Sequence, residues 1–257
     1  MDISYILNHL GENRGDYFNA VAPPLIQTSN FAFPTVKALR EGFQKEYETP
    51  FYTRGHNPTV AILRQKLAAL EGTEDALVFA SGSAAVAMAV ISAVKAGDHV
   101  VCMQKPYTWT NLLLSKLLAR FGVTVSFVDG RDTALVEAAI KPNTSLIYLE
   151  TPNSLTFEIQ DLKTITTLAK ARNITTIADN SHCSPLLQQP HLLGVDLVVH
   201  SATKYLNGHS DVVAGVVCGS GERIRKMMEE EFMTLGAIIS PNDAWLILRG
   251  LRTLELR

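Results

Sequence analysis

From about residue 60 onward the chain alternates two hydrophobic periods, and that alternation leaves few folds open. The stretch "TVAILRQKLAALEG" spaces apolar residues three and four apart and closes on Gly72, as an amphipathic helix does. "DALVFA" follows as a short unbroken apolar run suited to a strand. Strand-like runs recur at "HVVCM", "TVSFVDG", "SLIYLE", "ITTIADN" and "VDLVVHSA", with helical patterns at "TNLLLSKLLARFG", "ALVEAAI" and "DLKTITTLAKARN" between most of them. Apolar strands joined by helices bury both faces of a sheet by running mostly parallel beneath helices on either side, which makes this an α/β fold.

The flanks read differently. Residues 1–60 hold Pro23, Pro24, Pro34, Pro50 and Pro58 and the aromatics Phe31, Phe33, Tyr47, Phe51 and Tyr52 with little periodicity, as an extended N-terminal arm would. Such an arm packs on a neighbouring subunit or wraps its own, and residues 61–257 form the α/β domain. After a further strand in "DVVAGVVCGS" come a charged helix, "ERIRKMMEEEFM", and a last helix from "SPNDAWLILRG" in which the final "LRTLELR" is still helical.

Composition narrows the function. The 23 basic and 25 acidic residues nearly cancel and no basic cluster stands out, so neither nucleic acid nor an anionic membrane is favoured as a partner. The longest nearly apolar run, Ala84 to Val94, is too short to span a bilayer. The start, "MDISYILNHLGENRG", lacks the pattern of a secretory signal, and Cys102, Cys183 and Cys218 fit neither a disulfide framework nor a structural zinc site. A cytoplasmic protein that handles a small ligand and holds no metal is expected.

Chemistry-bearing residues gather where the strands end, the place at which open α/β sheets bind ligands. Ser81-Gly82-Ser83 lies between a strand and an alanine-rich helix; it is either a simple cap or a phosphate cradle built from helix N-terminal N–H groups. Neither G-x-G-x-x-G nor a P-loop occurs there, which removes support for a nucleotide. Asp179 closes "ITTIAD", as a turn cap or as the partner of a cation. Tyr107 is half-buried packing or a flat surface for a ligand ring, and Glu150 ends another strand. Lys204 follows "DLVVHSAT" and is either a solvated lysine or an amine aimed into the crevice. A phosphate cradle, a ring-stacking aromatic, an acid for a ring nitrogen and a lysine for an aldehyde are together what pyridoxal 5'-phosphate (PLP) requires.

The stretches "VVHSATKYLNGHSDVVAG", "IADNSHCSP", "FYTRGHNPT" and "ISPNDAWLILRGLRTLELR" closely resemble motifs of the Cys/Met-metabolism family of PLP enzymes, and the resemblance covers essentially the whole chain. It implies the large domain of the fold type I, aspartate aminotransferase architecture. The implied chemistry is that of cystathionine γ-synthase, cystathionine β- and γ-lyases, methionine γ-lyase and O-acylhomoserine sulfhydrylases. Carried over, it makes Lys204 the Schiff-base lysine and general base, Asp179 the partner of the pyridinium nitrogen, and Tyr107 the stacked ring. Ser81, Gly82, Ser83, Ser201 and Thr203 would surround the phosphate. Tyr52 and Arg54 would reach the phosphate of the adjacent protomer, so that a homodimer is the smallest active unit and a homotetramer the expected assembly. Tyr107, or Tyr52 from the other subunit, is the implied second proton carrier for an amino-acid substrate.

Three departures from the family pattern bear on function. Ser154 in "ETPNSL" stands where an asparagine is expected near the cofactor's ring hydroxyl, with Asn153 one place early. Trp109 occupies the position at which methionine γ-lyases carry a cysteine, which counts against that activity. The sequence stops at Arg257, where the family continues into a C-terminal domain that grips the substrate carboxylate, so a fragment of a longer enzyme is expected. Cystathionine γ-synthase or γ-lyase chemistry is the leading expectation. A sulfhydrylase, a β-lyase, or a PLP-binding module without turnover are the alternatives.

Overall fold

Every strand of the predicted alternation enters one sheet. The computed structural model describes all 257 residues. Its strands are β1 (Asp75–Phe79), β2 (His99–Met103), β3 (Thr124–Val128), β4 (Thr144–Glu150), β5 (Thr175–Asp179), β6 (Leu197–His200) and β7 (Gly215–Gly219). They lie in the order β1-β7-β6-β5-β4-β2-β3. β7 is antiparallel to both its neighbours, and every other pair is parallel. The helices, in chain order, are α1 (Ile3–Asn8), α2 (Val36–Phe43), α3 (Pro58–Glu71), α4 (Gly82–Ile91), α5 (Thr108–Leu112), α6 (Thr133–Ala138), α7 (Leu162–Lys170), α8 (Ser184–Leu187), α9 (Gly221–Met227), α10 (Met233–Leu235) and α11 (Pro241–Leu251). None is long and apolar enough to cross a membrane.

The apolar strands divide their side chains between two cores, because successive residues point to opposite faces. Val78, Val101, Ile147, Ala178, Val198 and Val216 face one core with α3, α7 and α11. Leu77, Val100, Leu146, Ile177, Val199 and Val217 face the other, with α4 and α9. Covering both faces explains the near-continuous hydrophobic runs.

Two expected helices are irregular. In place of one helix over "TNLLLSKLLARFG", α5 passes into a π turn at Leu113–Leu117 and a 3-10 turn at Leu118–Phe121. Leu113, Leu114 and Leu118 all reach the core across this change of turn. A π turn at Met228–Phe232 does the same after α9 for Met227, Met228 and Phe232. The final "LRTLELR" is not helical to its end: α11 stops at Leu251. The Gly250 carbonyl is taken by the Thr253 N–H, the Thr253 hydroxyl and Arg257 Nη2, so the chain closes as tight turns that still bury Leu254.

The N-terminal arm is less extended than its sequence suggests. α1 is capped by Asp2 and sets Ile6 and Leu7 in the core against α3, so the first dozen residues belong to their own chain's domain. Periodicity could not show this, since a six-residue helix depends on tertiary partners. The main partner is Lys66 of α3. Its buried Nζ donates to the carbonyls of Ile6 (2.8 Å) and Leu7 (3.2 Å) and meets Glu12 Oε1 at 3.1 Å. Arg252 approaches the other Glu12 oxygen at 3.5 Å.

Lys66→Met should leave Glu12 and two carbonyls buried without their cation. Breaking a buried pair from one side costs about 3–5 kcal/mol, so chemical denaturation should show a lower midpoint at unchanged slope.

Candidate active site

The parallel strands end along one edge, and the segments leaving them enclose a cavity of about 310 Å³. Ser81, Gly82, Ser83, Tyr107, Ser154, Asp179, Ser201, Thr203 and Lys204 all line it. Nine residues foreseen as cofactor contacts therefore share one space, although they come from five separate stretches of chain.

One wall is the start of α4. Ser81 is its N-cap, and its hydroxyl accepts from the Ala84 N–H at 3.0 Å. The Gly82 and Ser83 N–H groups are left without a partner in the chain, which is the arrangement that holds a phosphate at a helix N-terminus. Small residues are required here by closeness. A Cβ on Gly82 would lie 2.9 Å from the Cβ and Oγ of Ser201, on the segment leading to Lys204.

Glu150 sets the position of the opposite wall. It is 3 % exposed, and its two oxygens accept from the backbone N–H of Tyr107 and of Ser154, each at 2.7 Å. Burial, with the nearby Asp179 charge, holds its carboxyl above the ordinary range against these hydrogen bonds. The sequence placed Glu150 at a strand end without giving it a role. Its function is to tie together the two loops that carry Tyr107 and Ser154.

Asp179 lies between these walls. Its Oδ1 accepts from the Ser181 N–H at 2.9 Å, while burial pushes its carboxyl up against the lowering effect of its hydrogen bonds with Ser181. Lys204 shares the cavity, and its ammonium makes no ion pair in the chain. Ser181 and His182 also line the space and were not foreseen. Their signal was position alone, because the turn that follows Asp179 has to cross the mouth of the crevice.

Other expectations fall elsewhere. Tyr52 and Arg54 do not line this cavity. Tyr52 pairs with Asn30 along the arm, with the Arg54 guanidinium 5.3 Å from its ring centroid. Trp109 lies outside as well, 59 % exposed in an adjoining apolar groove with Leu113 and Leu117.

A mostly parallel sheet with helices on both faces, and a lysine, an acid and a helix N-terminus converging at its strand ends, define the large domain of a fold type I PLP-dependent enzyme. The chain belongs to the Cys/Met metabolism PLP-dependent enzyme family, whose model matches residues 5–257. It is 42% identical over 253 residues to an L-methionine gamma-lyase of Pseudomonas deceptionensis, covering 97% of this chain and 63% of that protein. It is 41% identical over 249 residues to a probable cystathionine gamma-synthase of Herpetosiphon aurantiacus, covering 97% and 75%. The solved cystathionine gamma-lyase of Lactobacillus plantarum, complexed with L-serine, superposes with a TM-score of 0.91 at 37% identity, over 100% of this chain and 65% of that one. The chain thus spans less than two thirds of the length of the methionine gamma-lyase it matches.

The lining fits PLP. Free N–H groups beside a space that a single Cβ would fill suit a phosphate, and the half-buried Asp179 carboxyl, without an ion-pair partner, suits a protonated ring nitrogen.

Because burial raises its pKa, Asp179 stays protonated to higher pH in the folded chain than in the unfolded one. Its contribution to folding is full below about pH 4, the ordinary carboxylate value, and is lost as pH rises through the folded value. Cofactor-free Asp179→Asn should therefore melt above the wild type at pH 7, with the difference closing in acid. Its PLP affinity should fall about tenfold to hundredfold, the worth of a hydrogen bond to a charged group. Melting curves across pH and a binding titration check both.

Proposed function

We propose that this chain is the cofactor-binding part of a PLP-dependent enzyme that makes or breaks carbon–sulfur bonds at Cβ or Cγ of a sulfur amino acid. The observation that carries the reading is that Lys204, Asp179 and the Ser81–Ser83 cradle share one cavity. PLP bound there supplies an aldehyde that takes up the substrate's amino group and a ring that accepts the electrons released at Cα. Asp179 would hold a proton on the ring nitrogen, and Tyr107 would lie against the ring. Lys204 Nζ takes the Cα proton as general base and, for γ-chemistry, moves a Cβ proton before the γ-substituent leaves.

Tyr52 and Arg54 complete the cavity of a second copy of the chain in this reading, which agrees with their absence from the lining of their own. A homodimer is then the smallest working unit. The substrate is cystathionine or an O-acylhomoserine, in γ-synthase or γ-lyase chemistry. Identity to a methionine gamma-lyase favours methionine as a second possibility, against which stands Trp109 in place of that activity's cysteine. Three free cysteines suit the reducing cytoplasm.

Purified protein incubated with PLP should show a visible absorbance band that borohydride bleaches, and Lys204→Ala should show none. A wild-type protein that binds PLP without such a band defeats the role given to Lys204. Product analysis with cystathionine, methionine and O-acylhomoserines separates the reactions, and absence of turnover on all of them would leave a binding module.

A further inference from the structure

The turn that carries Lys204 is held from two sides, and only one of them is the active site. On the cavity side, the Thr203 N–H and hydroxyl donate to the Ala214 carbonyl at 3.2 and 3.1 Å, and the Ser201 N–H donates to Ser181 Oγ at 2.6 Å. On the far side the turn rests on α11. A Cβ on Gly250 would overlap the Asn207 carbonyl oxygen and stand 3.1 Å from the Asn207 Cα, so no other side chain fits there without moving the turn. Asn207 is fully buried. Its Nδ2 donates to Asp211 Oδ1 at 2.9 Å, and Asp211 Oδ2 meets Arg249 of α11 at 2.5 Å. Arg257 closes the arrangement by donating to the carbonyls of Tyr205 (2.8 Å) and Gly250 (2.9 Å).

Displacement at Asn207 reaches Lys204 through short covalent and hydrogen-bonded links. The Asn207 N–H donates to the Ala202 carbonyl (2.9 Å) and the Gly208 N–H to the Lys204 carbonyl (2.8 Å), which makes residues 202–208 a closed helical turn. Asn207, Arg249 and Gly250 do not line the cavity, whereas Asp211 and Arg257 share an adjoining pocket with Lys204, so the links from α11 to the lysine run through the turn and through these two side chains. The Arg249–Asp211 pair is 43% and 39% exposed, and pairs so exposed add little to stability. Its geometric role can therefore be probed without unfolding the protein.

We infer that α11, through Gly250 and the Arg249–Asp211–Asn207 chain, is a buttress that sets how far Lys204 Nζ reaches into the cavity, and that Asn207, Arg249 and Gly250 are positioning residues. The inference rests on the reading of Lys204 as the lysine that condenses with the cofactor aldehyde, forming C=N and releasing water.

The test loads wild type, Gly250→Ala, Arg249→Ala, Arg249→Lys and Lys204→Ala with PLP. It measures total cofactor bound, the rate at which the visible band that borohydride bleaches forms, and the pH midpoint of that band before reduction. Gly250→Ala should still bind PLP through the Ser81–Ser83 cradle yet form the band about tenfold or more slowly, since small misplacements of reacting groups are costly, and with a shifted midpoint. Arg249→Ala should move both readouts in the same direction by less, and Arg249→Lys should restore them. Folded, PLP-bound Gly250→Ala and Arg249→Ala with wild-type rate and midpoint would overturn the buttress. If Gly250→Ala does not fold, the Arg249 pair decides alone. A visible band that borohydride bleaches in Lys204→Ala would remove the Lys204 reading itself, and the buttress with it.

Discussion

A sheet buried on both faces leaves its polar side chains little room except at the ends of its strands. Here that constraint governs the whole molecule. Leu77, Ile177 and Val199 face one core and Val78, Ala178 and Val198 the other, so the alternation along the central strands spends most interior positions on packing. Where strands stop, backbone and side chains turn toward water, and a lysine, two carboxylates and a helix start arrive together. A polar pair held deep under the sheet, His200 Nε2 with Glu71 at 2.8 Å, shows what an interior position demands. Asn180 Nδ2 adds a long contact to the same Glu71 oxygen at 3.5 Å, and neither His200 nor Glu71 lines the cavity.

Within the site, order comes from few groups. The Glu150 carboxylate holds Tyr107 and Ser154 in one register, so the aromatic and the residue across from it cannot shift independently. Asp179 is raised and lacks a cationic partner. A carboxyl in that state is an unfavourable feature of the empty domain and a favourable one once a cation is bound against it, the trade between stability and function expected of a preformed site.

Much of this was legible in the sequence. Strand positions followed from unbroken apolar runs, and strand ends followed from where those runs met Asp179, Glu150 or Ser81. Convergence of the ends needed no more than the parallel topology. Harder to read were features set by tertiary contact. α1 exists because Lys66 and the core receive it, and the π turns at Leu113–Leu117 and Met228–Phe232 leave no mark in the apolar spacing of their helices. Likewise α11 stops where Arg257 and Thr253 capture the Gly250 carbonyl. Ser181 and His182 were missed for another reason: a loop crossing a cavity has no periodicity to betray it. The family resemblance, in turn, supplied roles for Tyr52 and Arg54 that a single chain's geometry does not display.

The contacts around Lys204 also fix an order of events during synthesis. Glu12 and Lys66 can meet as soon as α3 has left the ribosome, and the start of α4 follows shortly after. Its facing wall, Ser201, comes more than a hundred residues later, and Gly250 later still. Trp245 of α11 hydrogen-bonds the carbonyl of Pro23, 222 residues earlier, so the arm cannot settle before the last helix arrives. On the reading proposed above, a nascent chain thus passes through a long stage with the helix terminus that would hold the phosphate but without Lys204, and competence to retain the cofactor would be among the last properties this part of the chain acquires.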